Sequence, residues 1–167
     1  MTIDTLFGEE EINGKPRAIR FKQIKAVYEI ITVKESITNY LKTGTRFTAP
    51  SQVYETFSFL MNETKEVFLT LHLDGKNRII AMDTVSVGSL NQSIVHPREV
   101  FKTACLSNAA AILLIHQHPT GDPTPSSEDI SVTRRLKEAG EILGIKVLDH
   151  IIVGDGEYLS FMERGLL

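Results

Sequence analysis

Two histidines at the end of an apolar run are the residues in this sequence best placed to do chemistry. His116 and His118 follow the apolar segment 109–115, which is typical of a strand buried on both faces. Side chains at positions i and i+2 of an extended chain point to the same side, so the two imidazoles are predicted to converge. Asp129 lies about one turn into the helix predicted next. Two histidines and a carboxylate can hold a catalytic zinc ion with one position left for water, although the same ligands also suit other divalent metals.

A water activated at such a site needs a base that does not bind the metal. Glu66, at the start of an earlier predicted strand, is our candidate, although the pattern alone favours an ordinary exposed carboxylate at a strand end. Ser126 is placed to donate a hydrogen bond to a developing oxyanion. The spacing from Ser126 to Asp129 also resembles a helix capping box, and such a cap is compatible with metal binding by Asp129.

Other residues that could take part in chemistry receive structural interpretations. We interpret His150 as a core histidine in preference to a metal ligand; a hydrogen bond from His150 to a ligating histidine stays open, since such histidines usually need a partner. Asp122, between Gly121 and Pro123, is predicted to be a turn residue in preference to one that orients a ligand.

Cys105 is predicted to be an inert buried thiol. His72 and His96 have no partner at a ligand-like spacing.

The elements that must position these residues alternate between strands and helices. Apolar periodicity predicts strands over 66–73, 78–87, 109–115, 146–153 and 158–161. A helix is predicted to begin at a Ser51 cap, a second at Pro97, and a third after Ser126, ending at Gly144. Asp74-Gly75 indicates a hairpin turn. This order favours one mixed sheet with helices on both faces.

Length and composition favour an ordinary globular domain. The chain has 167 residues, of which 42% are hydrophobic and 23% charged, values that argue against disorder and coiled coils. The apolar run 109–115 is far shorter than the roughly 18–20 residues of a membrane span, and we see no signal-peptide pattern. The single cysteine cannot form an internal disulfide. We therefore expect a cytoplasmic protein without membrane contact.

The charge distribution gives no support to nucleic-acid binding. The net charge is −3, and residues 51–167 carry 15 acidic against 10 basic side chains. Proteins that neutralise phosphates usually carry a basic surplus on the binding face. Direct nucleic-acid binding through a local patch stays open, because the total charge does not determine how charges are arranged. The small basic cluster Arg134, Arg135 and Lys137 is interpreted as the solvated face of its helix. A zinc nucleobase deaminase is excluded because its two-cysteine signature is missing from a chain with one cysteine.

The spacing of the candidate residues resembles a known motif. A distant Glu66, then His116-Gln117-His118, seven residues, Ser126, two residues and Asp129 is similar to the JAMM motif of the JAB/MPN metalloprotease superfamily. The segments NAAAILLIHQHPTGDPTPSSEDI and EAGEILGIKVLDHIIVGDGEYLS resemble the RadC branch of that superfamily. The likeness runs from about residue 50 to residue 167.

This resemblance implies a fold and a set of roles. The fold would be an α/β domain, a three-layer α/β/α arrangement of the JAB/MPN (cytidine-deaminase-like) type with a mixed sheet, spanning residues 50–167. Carried over onto this sequence, His116, His118 and Asp129 would bind Zn²⁺, Glu66 would be the general acid and base, and Ser126 would support the water or the oxyanion. The family commonly has Asn and Ser where this chain has Gln117 and Thr120; neither is a predicted ligand.

Residues 1–49 are predicted to form an N-terminal arm with an edge strand over 21–33. They show no helix-hairpin-helix of the kind found in longer RadC proteins, so the chain resembles a short form. The implied function is a zinc-dependent hydrolase of peptide or isopeptide bonds acting on a peptide or protein substrate. The alternatives are a non-catalytic zinc-binding interaction module and a DNA-repair-associated factor. The sequence does not indicate an oligomeric state.

Overall fold

The computed structural model describes residue 27 and residues 46–88 and 95–167. Its helices are α1 (Pro50–Phe57), followed by a 3-10 helix (Ser58–Asn62), α2 (Pro97–Leu106) and α3 (Ser127–Leu143). Its strands are β1 (Val67–Leu73), β2 (Ile79–Val87), β3 (Ala111–Gln117), β4 (Lys146–Val153) and β5 (Tyr158–Ser160). The strand predicted over 21–33 lies outside the described residues, and the domain boundary at residue 50 stays a prediction.

The strands form one mixed sheet in the order β2-β1-β3-β4-β5. β3 and β4 are parallel, and the other neighbours are antiparallel. Because β1 runs against β3, the first residues of β1 lie beside the last residues of β3, and Phe68 pairs with His116. The segment that carries Glu66 therefore reaches the end of β3 despite being about fifty residues away in sequence.

The sheet is covered on both faces, as the fully buried patterns of β1 and β3 require. One core cluster packs α1 and the 3-10 helix against the sheet through Val53, Phe57 and Leu60. A second cluster packs α2 and α3 against the opposite face, with Val100 and Leu136 among its buried members. This arrangement confirms the predicted α/β class and mixed sheet. No helix within the described residues is both long and apolar enough to cross a membrane.

The structure corrects two local predictions. Helix α1 begins at Pro50 with Ala49 as its N-cap, and no side chain caps it, so Ser51 lies inside the first turn. Proline suits the first helical position because its fixed φ is already helical and its missing N–H has no partner to lose. Cys105 is exposed, because it lies about 100° further round α2 than the buried Ala104.

Helix α3 begins and ends where the sequence predicts. Ser126 is its N-cap, and a complete capping box joins Ser126 to Asp129. Gly144 follows the last turn with φ of 72°, a left-handed conformation that glycine adopts without steric penalty. The first turn of α3 is thereby fixed at the edge of the sheet where β3 ends.

Candidate metal centre

Three elements bring four candidate ligands together at one edge of the sheet. His116 is the penultimate residue of β3 and His118 follows its end, Glu66 precedes β1, and Asp129 lies in the first turn of α3. Each side chain offers one ligand atom, and these atoms all lie within 4.8 Å of one another. The structure thus places all the residues predicted as ligands in a single cluster, with the predicted base beside them.

The distances between the ligand atoms are those of a compact metal site. His116 Nε2 lies 3.0 Å from His118 Nε2 and 3.3 Å from Asp129 Oδ1. His118 Nε2 lies 3.4 Å from Asp129 Oδ2, and Glu66 Oε1 lies 3.8 Å from His116 Nε2. A tetrahedron with metal–ligand bonds of about 2.0–2.1 Å has edges of about 3.3–3.4 Å. The distances of 3.0–3.4 Å between the two histidine nitrogens and the Asp129 carboxylate are close to these edges, with Oδ1 facing His116 and Oδ2 facing His118.

A buried oxygen also fits a bound cation. Asp129 Oδ1 is buried and accepts no hydrogen bond from the described residues, which is costly for an anionic oxygen. His116 and His118 point their Nε2 atoms at each other in the space beside this oxygen. A divalent cation there would bind the nitrogen lone pairs and neutralise the carboxylate. The donor set of imidazole nitrogen and carboxylate oxygen suits Zn²⁺ and other divalent transition metals.

His118 is oriented by the loop that follows β3. Its Nδ1 lies 2.7 Å from the backbone carbonyl oxygen of Asp122. A carbonyl oxygen can only accept, so Nδ1 donates the hydrogen and Nε2 keeps its lone pair for a metal. The Asp122 side chain accepts from Thr124 N at 2.8 Å, as in an Asx turn. Asp122 is thus a turn residue, as predicted, and its main chain also orients a ligand.

The surroundings shift the pKa values of the three predicted ligands in different directions. Burial lowers the pKa of His116, which favours the neutral ring that a metal requires. The Asp129 carboxylate, 3.4 Å from His118 Nε2, raises the pKa of His118 because it favours a charged ring, and burial opposes this shift. Burial raises the pKa of Asp129, but the neighbouring His116 and His118 rings outweigh it and hold that pKa far below its usual range. Asp129 is therefore ionised at any ordinary pH.

Ser126 contacts Asp129 in three ways. Its backbone N and its Oγ each donate to Asp129 Oδ2 at 2.7 Å, and its Oγ accepts from Asp129 N at 3.1 Å. The capping interpretation of this pair is confirmed. The contacts hold Oδ2 toward the helix end while Oδ1 faces His116. The role of Ser126 as an oxyanion donor stays a prediction.

Gln117 is a residue whose contribution our sequence analysis missed. Its Oε1 accepts from Val67 N at 2.8 Å, and its Nε2 donates to the carbonyl oxygen of Lys65 at 2.6 Å. The buried amide therefore clamps the main chain on both sides of Glu66. The alternation of β3 was the available signal, because it directs Gln117 to the face opposite His116.

His150 is both a core residue and a partner of a predicted ligand. It is fully buried, in agreement with its prediction as a core residue, but its Nε2 lies 2.8 Å from His116 Nδ1. The parallel pairing of β3 with β4 brings the two strands together here. The sequence offered only the general need of a ligating histidine for a partner.

The site is open to solvent on one side. The side chains of His116 and Asp129 are 0% and 1% exposed, whereas those of His118 and Glu66 are 18% and 13% exposed. Solvent therefore reaches the cluster from the side of His118 and Glu66.

Comparison with known proteins identifies the family. A family model described as the RadC-like JAB domain matches residues 47–166. A UPF0758 protein of Pelobacter propionicus is 68% identical over 123 residues, which cover 73% of this chain and 54% of that protein. A UPF0758 protein of Methanosarcina mazei is 46% identical over 158 residues, covering 94% of this chain and 68% of that protein. The chain spans about half the length of several such curated relatives. On these matches, the chain belongs to the RadC-like JAB domain family.

Proposed function

We propose that this chain is a zinc-dependent hydrolase of peptide or isopeptide bonds. The observation that carries the proposal is the convergence of His116 Nε2, His118 Nε2 and the Asp129 carboxylate beside the carboxylate of Glu66. His116, His118 and Asp129 would hold the zinc ion, which would act as a Lewis acid and lower the pKa of a bound water toward about 7. The partial exposure of His118 and Glu66 leaves a route by which a substrate can reach the site.

In this proposal Glu66 moves the protons. Its Oε1 lies close to the ligand cluster without sharing the short distances of Asp129, so we assign it as a base and not a ligand. Glu66 takes a proton from the attacking water and delivers it to the nitrogen of the departing amine. The hydrogen bonds of Gln117 to the flanking main chain limit how far Glu66 can move during this transfer.

Ser126 has a narrower role in this proposal than the resemblance implies. Its hydroxyl hydrogen is directed at Asp129 Oδ2, so in this arrangement it orients a ligand. To stabilise a substrate oxyanion, the hydroxyl has to turn away from Asp129. We therefore assign Ser126 to the orientation of Asp129 and retain the oxyanion contact as a further step in the proposal.

A second candidate function is a zinc-binding interaction module without turnover. Four potential ligands within 4.8 Å of one another are enough for a closed tetrahedral site, which is typical of structural zinc. In that case Glu66 is the fourth ligand. The two functions assign opposite roles to one carboxylate, so one substitution separates them.

The substitution Glu66→Gln tests the proposal. If Glu66 is the base, the variant retains zinc, and hydrolysis falls by about 10²- to 10⁴-fold. Zinc content is measured by elemental analysis, and hydrolysis with a panel of fluorogenic peptides and an isopeptide-linked lysine peptide. Glu63→Gln makes the same chemical change at a nearby exposed position and is expected to leave both measurements unchanged.

A different outcome supports the closed site. Loss of zinc from Glu66→Gln, together with a wild-type protein that binds zinc and cleaves none of the substrates, would contradict the hydrolase and favour the interaction module.

A further inference from the structure

Behind the candidate metal centre, a chain of buried hydrogen bonds leads from His116 to the start of α3. His150, on β4, lies with its Nε2 2.8 Å from His116 Nδ1. Its Nδ1 lies 2.6 Å from Thr133 Oγ1, and Thr133 Oγ1 lies 2.6 Å from the backbone carbonyl oxygen of Asp129. All of these residues are at most 1% exposed. This series of hydrogen bonds links one predicted ligand, His116, to the backbone of another, Asp129.

The donor and acceptor capacities of these groups fix the direction of every hydrogen bond in the series. The Asp129 carbonyl oxygen can only accept, so the single hydrogen of Thr133 Oγ1 goes to it. The Thr133 oxygen then accepts from His150 Nδ1. Full burial disfavours a charged ring at His150, and a neutral imidazole has one N–H, so His150 Nε2 is an acceptor. His116 Nδ1 must therefore donate to it, which leaves the lone pair of His116 on Nε2.

We propose that His150 and Thr133 are positioning residues that keep the hydrogen of His116 on Nδ1 and its Nε2 lone pair directed at the metal position. This inference rests on the metal-binding half of the proposed function and is independent of hydrolysis. Two acceptors, Asp129 Oδ1 and His150 Nε2, compete for the single hydrogen of the His116 ring. Without a metal, Asp129 Oδ1, 3.3 Å from His116 Nε2, would attract a hydrogen to Nε2 and block that ligand atom. His150 opposes this by accepting from Nδ1.

Aromatic packing fixes the orientation of the rings on which the hydrogen bonds depend. Phe161 stacks on His150 with ring centroids 4.7 Å apart and planes 27° apart. Phe68 stacks on His116 at 5.7 Å and 16° and also contacts His150 at 5.5 Å. The two histidine rings therefore have little room to rotate, and the hydrogen-bond direction is set by Thr133.

Substitution of Thr133 gives the cleanest test. Thr133→Val keeps the shape but leaves His150 Nδ1 without an acceptor. His150 is then expected to carry its hydrogen on Nε2 and donate to His116 Nδ1, which moves the His116 hydrogen to Nε2. Thr133→Ser keeps the hydroxyl and is expected to preserve the wild-type arrangement. His150→Phe removes the acceptor altogether.

Two measurements report on the proposal. Long-range ¹H–¹⁵N NMR of the metal-free protein identifies which nitrogen of His116 carries hydrogen: Nδ1 in the wild type and Thr133→Ser, Nε2 in Thr133→Val and His150→Phe. Zinc affinity, measured by competition with a chromophoric chelator, is expected to fall about 10- to 100-fold in the last two variants, as for other partners of metal ligands.

His72→Phe is the matched control. His72 is a buried histidine on the same sheet that contacts the hydroxyls of Thr70 and Ser107 and pairs with Ile112, four residues along β3 from His116. Its replacement perturbs the core but is expected to leave zinc affinity and the His116 tautomer unchanged.

The inference is overturned if metal-free wild type carries the His116 hydrogen on Nε2, or if folded Thr133→Val keeps both the wild-type tautomer and the wild-type zinc affinity. An equal loss of affinity in His72→Phe also overturns it, because the effect is then one of general core damage. A wild-type protein that binds no zinc contradicts the proposed function, whereas the tautomer measurement on that metal-free protein still decides this inference.

Discussion

Each predicted ligand at the metal centre is oriented by a contact on its far side. His118 donates to the carbonyl oxygen of Asp122, His116 contacts His150, and Asp129 Oδ2 accepts from Ser126. Such outer contacts fix the tautomer and ring orientation of ligating histidines and raise metal affinity. At the scale of single residues, the site is therefore prepared for a cation before one binds.

Loss of the Gln117 hydrogen bonds is expected to displace Glu66 without displacing the predicted metal ligands. Gln117→Leu removes the acceptor for Val67 N and the donor to Lys65 O, so Glu66 loses its fixed position. We expect hydrolysis of the peptide panel to fall on the order of 100-fold, the effect of a displacement of about 1 Å, while zinc content stays at the wild-type level. Unchanged hydrolysis, or parallel loss of zinc, would contradict this assignment.

The residues of the centre differ in how far the sequence could predict them. The spacing of His116, His118 and Asp129 indicates a ligand set because residue type and local periodicity determine it. Gln117 and His150 act through contacts between strands, and periodicity shows which face a side chain takes but not which strand lies beside it. The role of Asp122 could not be predicted from its side chain, because its backbone carbonyl would be present in any residue.

At the scale of elements, the loop from β3 to α3 rests on the turn between β4 and β5. Asp155 N donates to the carbonyl oxygen of Gly121 at 2.8 Å. A Cβ atom at Gly154 would lie 2.6 Å from that same oxygen and 2.7 Å from Pro123 Cδ, distances that real structures do not tolerate. Gly154 is therefore required for the close approach that supports the loop carrying His118.

This contact predicts that a single methyl group at the turn weakens the metal site. Gly154→Ala forces the 118–126 loop away from the turn, and we expect zinc affinity to fall roughly 10-fold or more, in the range for residues that support ligands. Gly75→Ala is the control, because a Cβ there meets no atom within 4 Å. If both alanine variants bind zinc with wild-type affinity, the claim that this contact supports the metal site is wrong.

The positions of most elements follow from the sequence. Predicted bounds agree with the observed strands to within about two residues, because alternation and apolar runs reflect burial directly. Two predictions are wrong: one concerns the residue at which α1 begins, and the other concerns which face of α2 is buried. The sequence pattern predicts a cap at Ser51, whereas the helix begins at Pro50. It also predicts a buried Cys105, whereas the buried face of α2 ends at Ala104.

At the scale of the whole molecule, the topology of the sheet creates the site. The antiparallel pair β1–β3 and the parallel pair β3–β4 bring three strands to one edge, and α3 covers this edge with its first turn. Strand order and register cannot be read from periodicity, so the nearness of Glu66 to His116 rested on the resemblance and not on the pattern. The structure supplies the physical reason, which is the pairing of Phe68 with His116.

The central claim is that His116, His118 and Asp129 hold one zinc ion, and elemental analysis tests it most directly. Protein purified without added metal is expected to contain about one zinc per chain, and His116→Ala to contain little. His96→Asn is the control, because His96 is exposed and caps α2, and asparagine is also a good N-cap. Wild-type protein without zinc, or equal zinc in His116→Ala, would contradict the account.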